Sequence, residues 1–374
     1  MNFDFTDEQE QLRDAVRKWV DKSYTFDRRR SIEATGGFSK EAFDELNALG
    51  LGGLIIDEAF DGLGMGPVEA MVVMEELGRG IVLEPYTQTL IASGILTNYA
   101  SDDIKKEWLP KIASSEAFVV LAYQERSARY RLEQCAAQAS KSTASGDSYA
   151  LNAIKSMVPA GDHTSAWIVP AMLDGRMALF LVERDAEGAK AVAYGTQNGG
   201  RAAELSMTNT PAVLLTKDGL SALEWGVDIG IAATCAEAVG AMDKLVALTV
   251  EYMNTRKQFG VNISSFQALR HRMADIKMQL ELARSMSYYA TLKVNAPAAE
   301  RRAAMARAKY QLGLSMRFVG QQTVQLHGGI GVTDEYAGSH YFKHLTQLEM
   351  TFGDTLHHLA LVSNNMQETA GVFA

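Results

Sequence analysis

Residues Arg256–Ile276 read RKQFGVNISSFQALRHRMADI, and the rest of the chain is organised around them. Apolar residues recur at spacings of three and four on both sides of this stretch, which is the pattern of two amphipathic helices. Before it they are Ala232, Ala236, Val239, Met242, Val246, Thr249 and Met253, and after it Phe266, Leu269, Met273, Ile276, Leu280 and Ala283. We therefore predict a helix, a tight connection and a second helix.

The connection carries its own stop and start signals. Because Gly260 easily takes a left-handed cap conformation, Phe259-Gly260 is expected to end the first helix. Ser264 or Ser265 is expected to cap the second helix. Arg256 offers forked donors that suit a phosphate, and Phe259 offers a flat apolar face to a ring system. A hairpin that reaches a neighbour's cofactor would use both side chains, whereas one that only packs needs neither.

This run resembles the C-terminal signature of the acyl-CoA dehydrogenases, flavoproteins in which Arg-x-x-Phe-Gly crosses a dimer interface to hold the FAD of the other subunit. The match continues through Phe266-Gln267 and Met273-Ala-Asp, so it is more specific than an isolated glycine motif. The residues to which the resemblance gives FAD contacts are Arg256, Gln258, Phe259, Ile263, Phe266 and Gln267.

Length and composition limit the class of protein. A chain of 374 residues fits two or three domains. The net charge of −9 and the pI near 5.4 argue against nucleic-acid binding, which needs clustered Lys and Arg. Cys135 and Cys235 have no partner at metal-like spacing, so we expect neither disulfides nor a metal site. The sequence shows no export signal and no apolar run of about 18 residues, so we expect a cytoplasmic protein.

The first part of the chain carries helix signals. Thr6 and Gln9 form a capping box at the head of a helix. Ser39 can cap another helix, and Pro67 suits a first helical turn. Residues 1–116 are therefore expected to form an N-terminal helical domain.

The hydrophobic period changes near Ala117. Short runs rich in strand formers follow, and Asp174-Gly175 between two of them is a strong signal for a type I′ hairpin. No helical pattern separates the runs, so we expect an antiparallel sheet in a middle domain of residues 117–218. The runs are Phe118–Tyr123, Ser148–Ile154, Ala166–Met172 and Met177–Val182.

From Gly219 the pattern is helical again, which predicts a C-terminal four-helix bundle in residues 219–374 and an α+β protein. The order of helices, β-domain and bundle is that of the acyl-CoA dehydrogenase fold, which the resemblance implies for essentially the whole chain. The third bundle helix ends near Gln325. The residues that resemble the family's contact to the FAD adenosine and pyrophosphate are Gln325, His327, Gly328 and Gly329.

The family's reaction removes the α-hydrogen of an acyl-CoA as a proton while FAD N5 accepts the β-hydrogen as hydride, which leaves a trans-2-enoyl-CoA. The reaction needs a carboxylate base because the α-proton is only moderately acidic. Phe352 stands where most members of the family have the basic Glu, and Gly230 stands at the alternative position on the first bundle helix. Neither usual position of the base holds a carboxylate here.

Two nearby carboxylates are candidates for the missing base. Asp354 would reach the pocket if the backbone shifted by the two residues that separate it from Phe352. Glu237 lies two helical turns beyond Gly230 on the same helix face. We predict Asp354 as the base and Glu237 as the second choice. A helix cap is the competing structural role for Asp354, and an ion pair with a Lys or Arg is the competing role for Glu237.

The β-domain also departs from the family pattern. Gln124-Glu-Arg-Ser-Ala-Arg-Tyr130 replaces Thr-Glu-Pro-Gly-x-Gly-Ser-Asp, and Met157-Val-Pro159 replaces the flavin-covering Trp-Ile-Thr. The resemblance still gives Tyr123 and Gln124 to the flavin. These departures look most similar to the small-subunit type of pimeloyl-CoA dehydrogenase, a branch whose members can pair with a large subunit.

The resemblance implies an acyl-CoA substrate, a dimer or tetramer built through the C-terminal bundle, and an electron-transferring flavoprotein as acceptor. Two alternatives stay open. One is a non-catalytic or half-site subunit that completes the FAD site of a heteromeric partner and, purified alone, binds little flavin. The other is a flavin oxidase that uses an Asp base on a small substrate without CoA and releases hydrogen peroxide.

Overall fold

The structure is a computed structural model that describes residues 4–141 and 148–369. These residues divide into two compact units. The bundle unit lies within Met1–Asp27, Met71–Val82 and Ile231–Ala374, and the β unit lies within Arg28–Ala70 and Leu83–Gly230. The division of the chain at residues 116 and 218 stays a prediction.

The N-terminal helices begin where their cap residues predict. Thr6 Oγ1 accepts from Gln9 N at 3.2 Å and Gln9 Oε1 accepts from Thr6 N at 3.0 Å, so the capping box is confirmed. Ser39 caps α3, and Pro67 is the first residue of α4. The helices are α1 (Asp7–Lys22), α2 (Phe26–Ala34), α3 (Lys40–Ala48), α4 (Pro67–Arg79), α5 (Tyr86–Tyr99) and α6 (Asp102–Ala113).

The β unit contains a sheet that closes on itself. Its strands are β1 (Val119–Leu121), β2 (Gln138–Lys141), β3 (Ser148–Pro159), β4 (Ala166–Leu173), β5 (Arg176–Glu183), β6 (Ala189–Gly195) and β7 (Arg201–Thr216). The hydrogen-bonded order is β1-β4-β2-β3-β7-β5, β5 returns to pair with β4, and β6 pairs with β7. The ring β4-β2-β3-β7-β5 encloses apolar side chains that include Tyr149, Leu151, Trp167, Phe180 and Leu205.

Most strand pairs are antiparallel, as predicted, and the Asp174-Gly175 hairpin between β4 and β5 is confirmed by positive φ at both residues, 50° and 78°. The expectation of a wholly antiparallel sheet is wrong at β4, which pairs in parallel with β1 and, through Gln138 and Met172, with β2. In the chain, β2 and β3 lie between β1 and β4. The connection between the parallel strands β1 and β4 is therefore made of strands, where a helix is more usual.

The C-terminal helices form a ring of four that polar side-chain contacts join. Arg284 on α8 contacts Asp243 on α7 at 3.2 Å, and Ser315 on α9 donates to Gln279 on α8 at 3.0 Å. Lys309 joins α9 to α10, and His344 joins α10 to α7. The elements are α7 (Gly219–Thr255), β8 (Lys257–Gln258), β9 (Val261–Asn262), α8 (Gln267–Lys293), α9 (Ala298–His327), α10 (Ala337–Met350) and α11 (Thr355–Thr369).

Two predictions about the connection between α7 and α8 are wrong. The first helix ends at Thr255 and not at Phe259-Gly260, because the intervening residues pair as the strands β8 and β9. Neither Ser264 nor Ser265 caps α8, since both lie in a 3-10 turn and the residue before α8 makes no side-chain cap.

The sequence predicts neither a membrane span nor a metal site. Of the helices within residues 4–141 and 148–369, none has both the length and the apolar character needed to cross a lipid bilayer. The same residues contain no cluster of three or more His, Cys, Asp or Glu side chains placed to hold a metal ion. Cys135 and Cys235 are both free thiols.

Candidate active site

Phe259 and Gly260 form the two-residue turn of a β-hairpin. Lys257 pairs with Asn262 and Gln258 with Val261, and both turn residues have positive φ, 52° and 80°. Positive φ at both central residues is the requirement of a type I′ turn. The Phe259 side chain is 90% exposed and meets Phe266 edge to face, with 6.1 Å between ring centroids. A large apolar ring therefore stands at the tip of a tight turn with most of its surface uncovered by this chain.

The base of this hairpin is fixed by contacts within the bundle unit. Ile263 is buried, and its N–H donates to the carbonyl of Arg256 at 2.9 Å. Asn262 Nδ2 donates to the carbonyl of Asn254 on α7 at 2.8 Å. The predicted cofactor residues Arg256, Gln258, Phe259, Phe266 and Gln267 are all exposed. Five of the six FAD residues predicted in this stretch are therefore exposed, and the sixth, Ile263, is buried and fixes the hairpin to the bundle unit.

His327, which is predicted to contact FAD, uses both nitrogens of its imidazole in hydrogen bonds within the protein. Its Nδ1 lies 2.8 Å from the carbonyl of Thr323, which can only accept, so Nδ1 carries the proton. Nε2 then accepts from the hydroxyl of Tyr336 at 2.8 Å. Burial lowers the pKa of His327, which keeps the ring neutral at neutral pH. This places the imidazole as a fixed support at the end of α9.

Tyr252 joins the end of α9 to the hairpin. Its hydroxyl donates to the backbone carbonyl of His327 at 3.2 Å, and the two rings lie 4.7 Å apart. Tyr252 sits one helical turn before Arg256, so this contact brings the hairpin base and the glycine segment together. Tyr252 is not predicted from the sequence, because a Tyr on the last turn of an amphipathic helix has no local signal that distinguishes it from a packing residue.

Gly328 and Gly329 present open backbone beside that support. Both are exposed, and a Cβ added to either would meet nothing within 4 Å. Gly328 has a φ of 64°, which favours glycine. Gln325 is exposed on the last turn of α9, and its carbonyl accepts from the N–H of Gly328.

Exposed guanidinium, amide and phenyl groups on the hairpin, together with open glycine backbone, are groups that suit the phosphates and rings of FAD. The residues present therefore fit this cofactor, and those that would hold it from the bundle unit are Arg256, Gln258, Phe259, Gln325, Gly328 and Gly329.

Glu237 is engaged by a histidine. Its Oε1 lies 3.0 Å from His344 Nε2, and both side chains are largely buried between α7 and α10. The partner is a histidine and not the Lys or Arg expected for a structural ion pair. The role of Glu237 as second-choice base stays a prediction.

Asp354 lies at the start of α11. Its Oδ1 accepts from the N–H of His357 at 2.8 Å, which is the bond of an N-cap residue to the third helical residue. Phe352, at the position of the family's Glu, is buried and has a φ of 58°. The competing structural role of Asp354 is therefore present, and its role as the base stays a prediction.

In the β unit, Tyr123 and Gln124 follow β1 and line a small pocket. The backbone carbonyl of Gln124 accepts from the N–H of Ser156 at 2.9 Å, and the Gln124 side chain is hydrogen-bonded to the hydroxyl of Tyr123. This pair stays a prediction for flavin binding.

Glu125, which lines the same pocket, forms a buried ion pair. Lys155 is fully buried, and its Nζ donates to Glu125 Oε1 at 2.6 Å, while Glu125 Oε2 accepts from the N–H of Ala136 at 2.7 Å. Burial by itself would raise the pKa of Glu125. The hydrogen bond and charge of Lys155, with the N–H groups of Ala136 and Ala137, hold this pKa below its usual value. The ion pair of Glu125, the second residue of the Gln124–Tyr130 loop, thus fixes this loop to β3.

Comparison with known proteins agrees with the sequence resemblance. Residues 6–116 match the acyl-CoA dehydrogenase N-terminal domain, and residues 217–367 match the acyl-CoA dehydrogenase C-terminal domain. The probable acyl-CoA dehydrogenase YngJ of Bacillus subtilis (strain 168) is 27% identical over 354 residues, covering 90% of this chain and 92% of that protein. FadE27 of Mycobacterium tuberculosis, an acyl-CoA dehydrogenase, is 24% identical over 379 residues, covering 99% and 100%.

Solved structures give the same fold. A variant of the Tcur3481-Tcur3483 steroid ACAD superposes with a TM-score of 0.89 at 26% identity, covering 98% of this chain and 99% of that one. Butyryl-CoA dehydrogenase from Megasphaera elsdenii superposes with a TM-score of 0.89 at 22% identity, covering 98% and 100%. With the helix, β-domain and bundle order already described, these matches show that the chain belongs to the acyl-CoA dehydrogenase family.

Proposed function

We propose that this chain binds FAD and removes the α- and β-hydrogens of an acyl-CoA thioester, leaving a trans-2-enoyl-CoA. The observation that carries the proposal is the exposed hairpin tip, where Phe259 is 90% exposed on a turn with a fixed base. Phe259 and the neighbouring Phe266 together offer an apolar face for a cofactor ring at this tip. In the family such a hairpin holds the FAD of the adjacent subunit, so we also propose an oligomer built through the C-terminal bundle.

The residues divide the chemical tasks among them. Arg256 would pair with a cofactor phosphate, and Phe259 would pack against a cofactor ring. A carboxylate takes the α-proton, for which we propose Asp354 first and Glu237 second. Bound FAD supplies the acceptor for the β-hydrogen, which is chemistry that no side chain offers.

Each candidate base must leave a protein partner in order to act. Asp354 would have to give up its N-cap bond to the N–H of His357, and Glu237 would have to give up its contact with His344. Glu237 is enclosed with His344 between α7 and α10, whereas Asp354 lies in the loop that also holds Phe352, the residue at the position of the family's base. This position supports Asp354 over Glu237.

Anaerobic flavin bleaching tests the function directly. Wild-type protein with bound FAD is mixed with acyl-CoAs whose acyl groups are short, long, branched, dicarboxylic or steroid. Loss of the absorbance band of oxidised flavin is followed. We expect bleaching by at least one thioester and none by the matching free acid. Hydrogen peroxide formed in air from a CoA-free substrate, with no bleaching by any thioester, would favour the oxidase alternative.

A second candidate function is a half-site subunit of a heteromeric acyl-CoA dehydrogenase. Two residues favour it: the buried Phe352 and Gly230 occupy the positions where the family places its base. The 26%-identical steroid ACAD is named as a pair of chains, Tcur3481-Tcur3483. Likeness to the pimeloyl-CoA dehydrogenase small subunit belongs to this proposal, as does a large subunit as partner.

Purification alone and with a large subunit separates the two candidates. A half-site subunit alone would retain little FAD and show no bleaching, and both would appear after co-expression with a partner. A chain that bleaches as a homo-oligomer excludes the half-site role. We also propose an electron-transferring flavoprotein as the electron acceptor. We further propose a cytoplasmic location, which suits the two free thiols.

A further inference from the structure

Lys309 is a fully buried cation in the middle of α9. It is 1% exposed, and its Nζ donates to three backbone carbonyls, those of Leu348 at 2.9 Å, Glu349 at 2.8 Å and Gly353 at 3.0 Å. An ammonium group has three donors, so all of them are used. Burial lowers the pKa of Lys309 to about 8, and the group is still mainly charged at neutral pH.

Two of the three carbonyls precede the loop Thr351–Asp354, and the third lies inside it. Leu348 and Glu349 are in the last turn of α10, where carbonyls have no partner within the helix. Gly353 is inside the loop. Lys309 therefore caps α10 and ties the loop to that cap with a single side chain. A cation at a helix C-terminus is also favoured by the helix dipole.

The loop has an unfavourable local conformation that its surroundings hold in place. Phe352 and Gly353 have φ values of 58° and 112°, a region that L side chains rarely adopt. His358 Nε2 lies 3.1 Å from the carbonyl of Phe352, and burial lowers the pKa of this histidine to about 3, so the neutral ring donates through Nε2. Glu349 accepts from the N–H and the hydroxyl of Thr355 just beyond the loop.

Within the part of the chain that the structure describes, four other ionisable groups interact with the ammonium. They are Cys235 on α7, Glu349 on α10, Asp354 in the loop and the neutral His358 on α11. Burial raises the pKa of Cys235 to about 12, so this thiol is neutral. The charge of Lys309 is therefore balanced by carbonyl dipoles and two carboxylates, and one of these carboxylates is the proposed base.

We propose that Lys309 is a positioning residue for acyl-CoA dehydrogenation, which acts by holding the Thr351–Asp354 loop against the end of α10 so that the loop's carboxylate has one fixed location. The inference rests on the proposed function, since the loop carries both Phe352 and Asp354. Lys309 itself is fully buried, so it touches neither substrate nor cofactor. Its three bonds act on the backbone alone.

The test compares Lys309→Met and Lys309→Gln with the wild-type holoenzyme. Met keeps an unbranched side chain one atom shorter than Lys and removes every donor, while Gln keeps two donors without the charge. Lys293→Met is the matched control, because Lys293 is a partly exposed lysine on α8 that pairs with Glu300. Three quantities are measured: the rate constant of flavin bleaching, its half-saturation by acyl-CoA, and amide hydrogen exchange resolved for residues 351–356.

We expect Lys309→Met to lower the bleaching rate constant by about 10²-fold, the effect of a small misplacement of a reacting group. Half-saturation by acyl-CoA should change little, and exchange at residues 351–356 should accelerate while the β unit is unaffected. Lys309→Gln should fall between Met and wild type, and Lys293→Met should match wild type. A merely stabilising lysine would lower the melting temperature and leave the bleaching rate constant unchanged.

Two outcomes separate failure of this inference from failure of the proposed function. If Lys309→Met or Lys309→Gln folds, bleaches at the wild-type rate and retains wild-type amide protection in the loop, the positioning role is overturned. If wild type is bleached by no acyl-CoA, the proposed function fails, and exchange at residues 351–356 still reports whether Lys309 holds the loop.

Discussion

The hydroxyl of Tyr336 donates to His327 Nε2 at 2.8 Å, and the rings of the two residues lie 4.9 Å apart. The other ring nitrogen of His327 donates to the carbonyl of Thr323, so both nitrogens of the imidazole are used inside the protein. A histidine in a segment that resembles an FAD contact is thus a support for the backbone that follows it. The open backbone of Gly328 and Gly329 depends on that support.

Replacing Tyr336 by Phe should destabilise the bundle unit. The change leaves Nε2 of the 3%-exposed His327 without a donor, and an unsatisfied buried acceptor costs about 1–2 kcal/mol of the free energy of unfolding. Urea unfolding followed by tryptophan fluorescence measures this difference. Tyr289→Phe is the control, since the Tyr289 hydroxyl makes only a long contact of 3.5 Å with Arg307. Equal stability of the two variants would contradict the support role of His327.

Replacing Phe259 by Ala should affect the cofactor and not the protomer fold. The side chain is 90% exposed, so truncation removes almost no buried surface and the free energy of unfolding of the apoprotein should change by less than about 0.5 kcal/mol. FAD affinity should fall by about tenfold or more if a cofactor ring packs on the phenyl group. Flavin content after gel filtration and titration of the apoprotein with FAD measure the effect.

Val192→Ala provides the comparison for the hairpin variant, because Val192 on β6 is another exposed apolar residue, 53% exposed, in the β unit. Its flavin content should equal that of wild type. Wild-type FAD affinity in Phe259→Ala would remove the hairpin tip from the cofactor site.

Two substitutions of Asp354 separate capping from catalysis. Asn caps helices about as well as Asp, so Asp354→Asn should preserve stability, whereas Asp354→Ala should cost about 1 kcal/mol. If Asp354 is the base, both variants lose flavin bleaching by about 10²–10⁴-fold. Stopped-flow bleaching with the best acyl-CoA and urea unfolding measure the two effects. Wild-type bleaching in Asp354→Asn would leave Glu237 as the remaining candidate, to be tested as Glu237→Gln.

Glu75 should make stability depend on pH near neutrality. Burial raises the pKa of this α4 carboxyl from 4.5 to about 7, although Arg284 and Arg13 oppose the shift. The folded state therefore binds the proton more tightly than the unfolded state. Its contribution to stability is fully present below about pH 4.5 and is lost as pH rises to about 7, a difference of order 3 kcal/mol.

Glu75→Gln should flatten that pH profile. Relative to wild type the variant should gain stability between pH 5 and 8, because the neutral amide carries no ionisation penalty in the buried site. Urea unfolding at several pH values gives the difference curve, and Glu58→Gln, at an exposed carboxylate, should leave the profile unchanged. Parallel curves for wild type and Glu75→Gln would show that this carboxyl does not titrate in that range.

Local signals account for the parts of the fold that the sequence predicts well. The Thr6–Gln9 capping box and the Asp174-Gly175 turn each depend on residues within four positions, so their chemistry is readable without tertiary contacts. The strands β2 and β6 are not predicted. β2 is short and largely exposed, and β6 alternates only between half-buried and exposed positions, so neither strand has a strong hydrophobic period.

Long-range contacts decided the remaining features. The hairpin at Phe259 replaces a predicted helix stop because pairing of Lys257 with Asn262 competes with a helical cap, and spacing alone does not rank the two. The parallel pairing of β1 with β4 likewise depends on where β2 and β3 return the chain.

The sequence by itself determined the family and the order of helices, β-domain and bundle, and it predicted the residues that would hold FAD, because motif spacing and hydrophobic period are properties of the linear chain. Only the tertiary structure assigned partners to the polar groups: His327 to Tyr336, Glu237 to His344, Asp354 to the start of α11, and Lys309 to the loop that carries Asp354. A buried polar group must find its hydrogen bonds among residues that are distant in sequence, and folding alone brings those residues within reach.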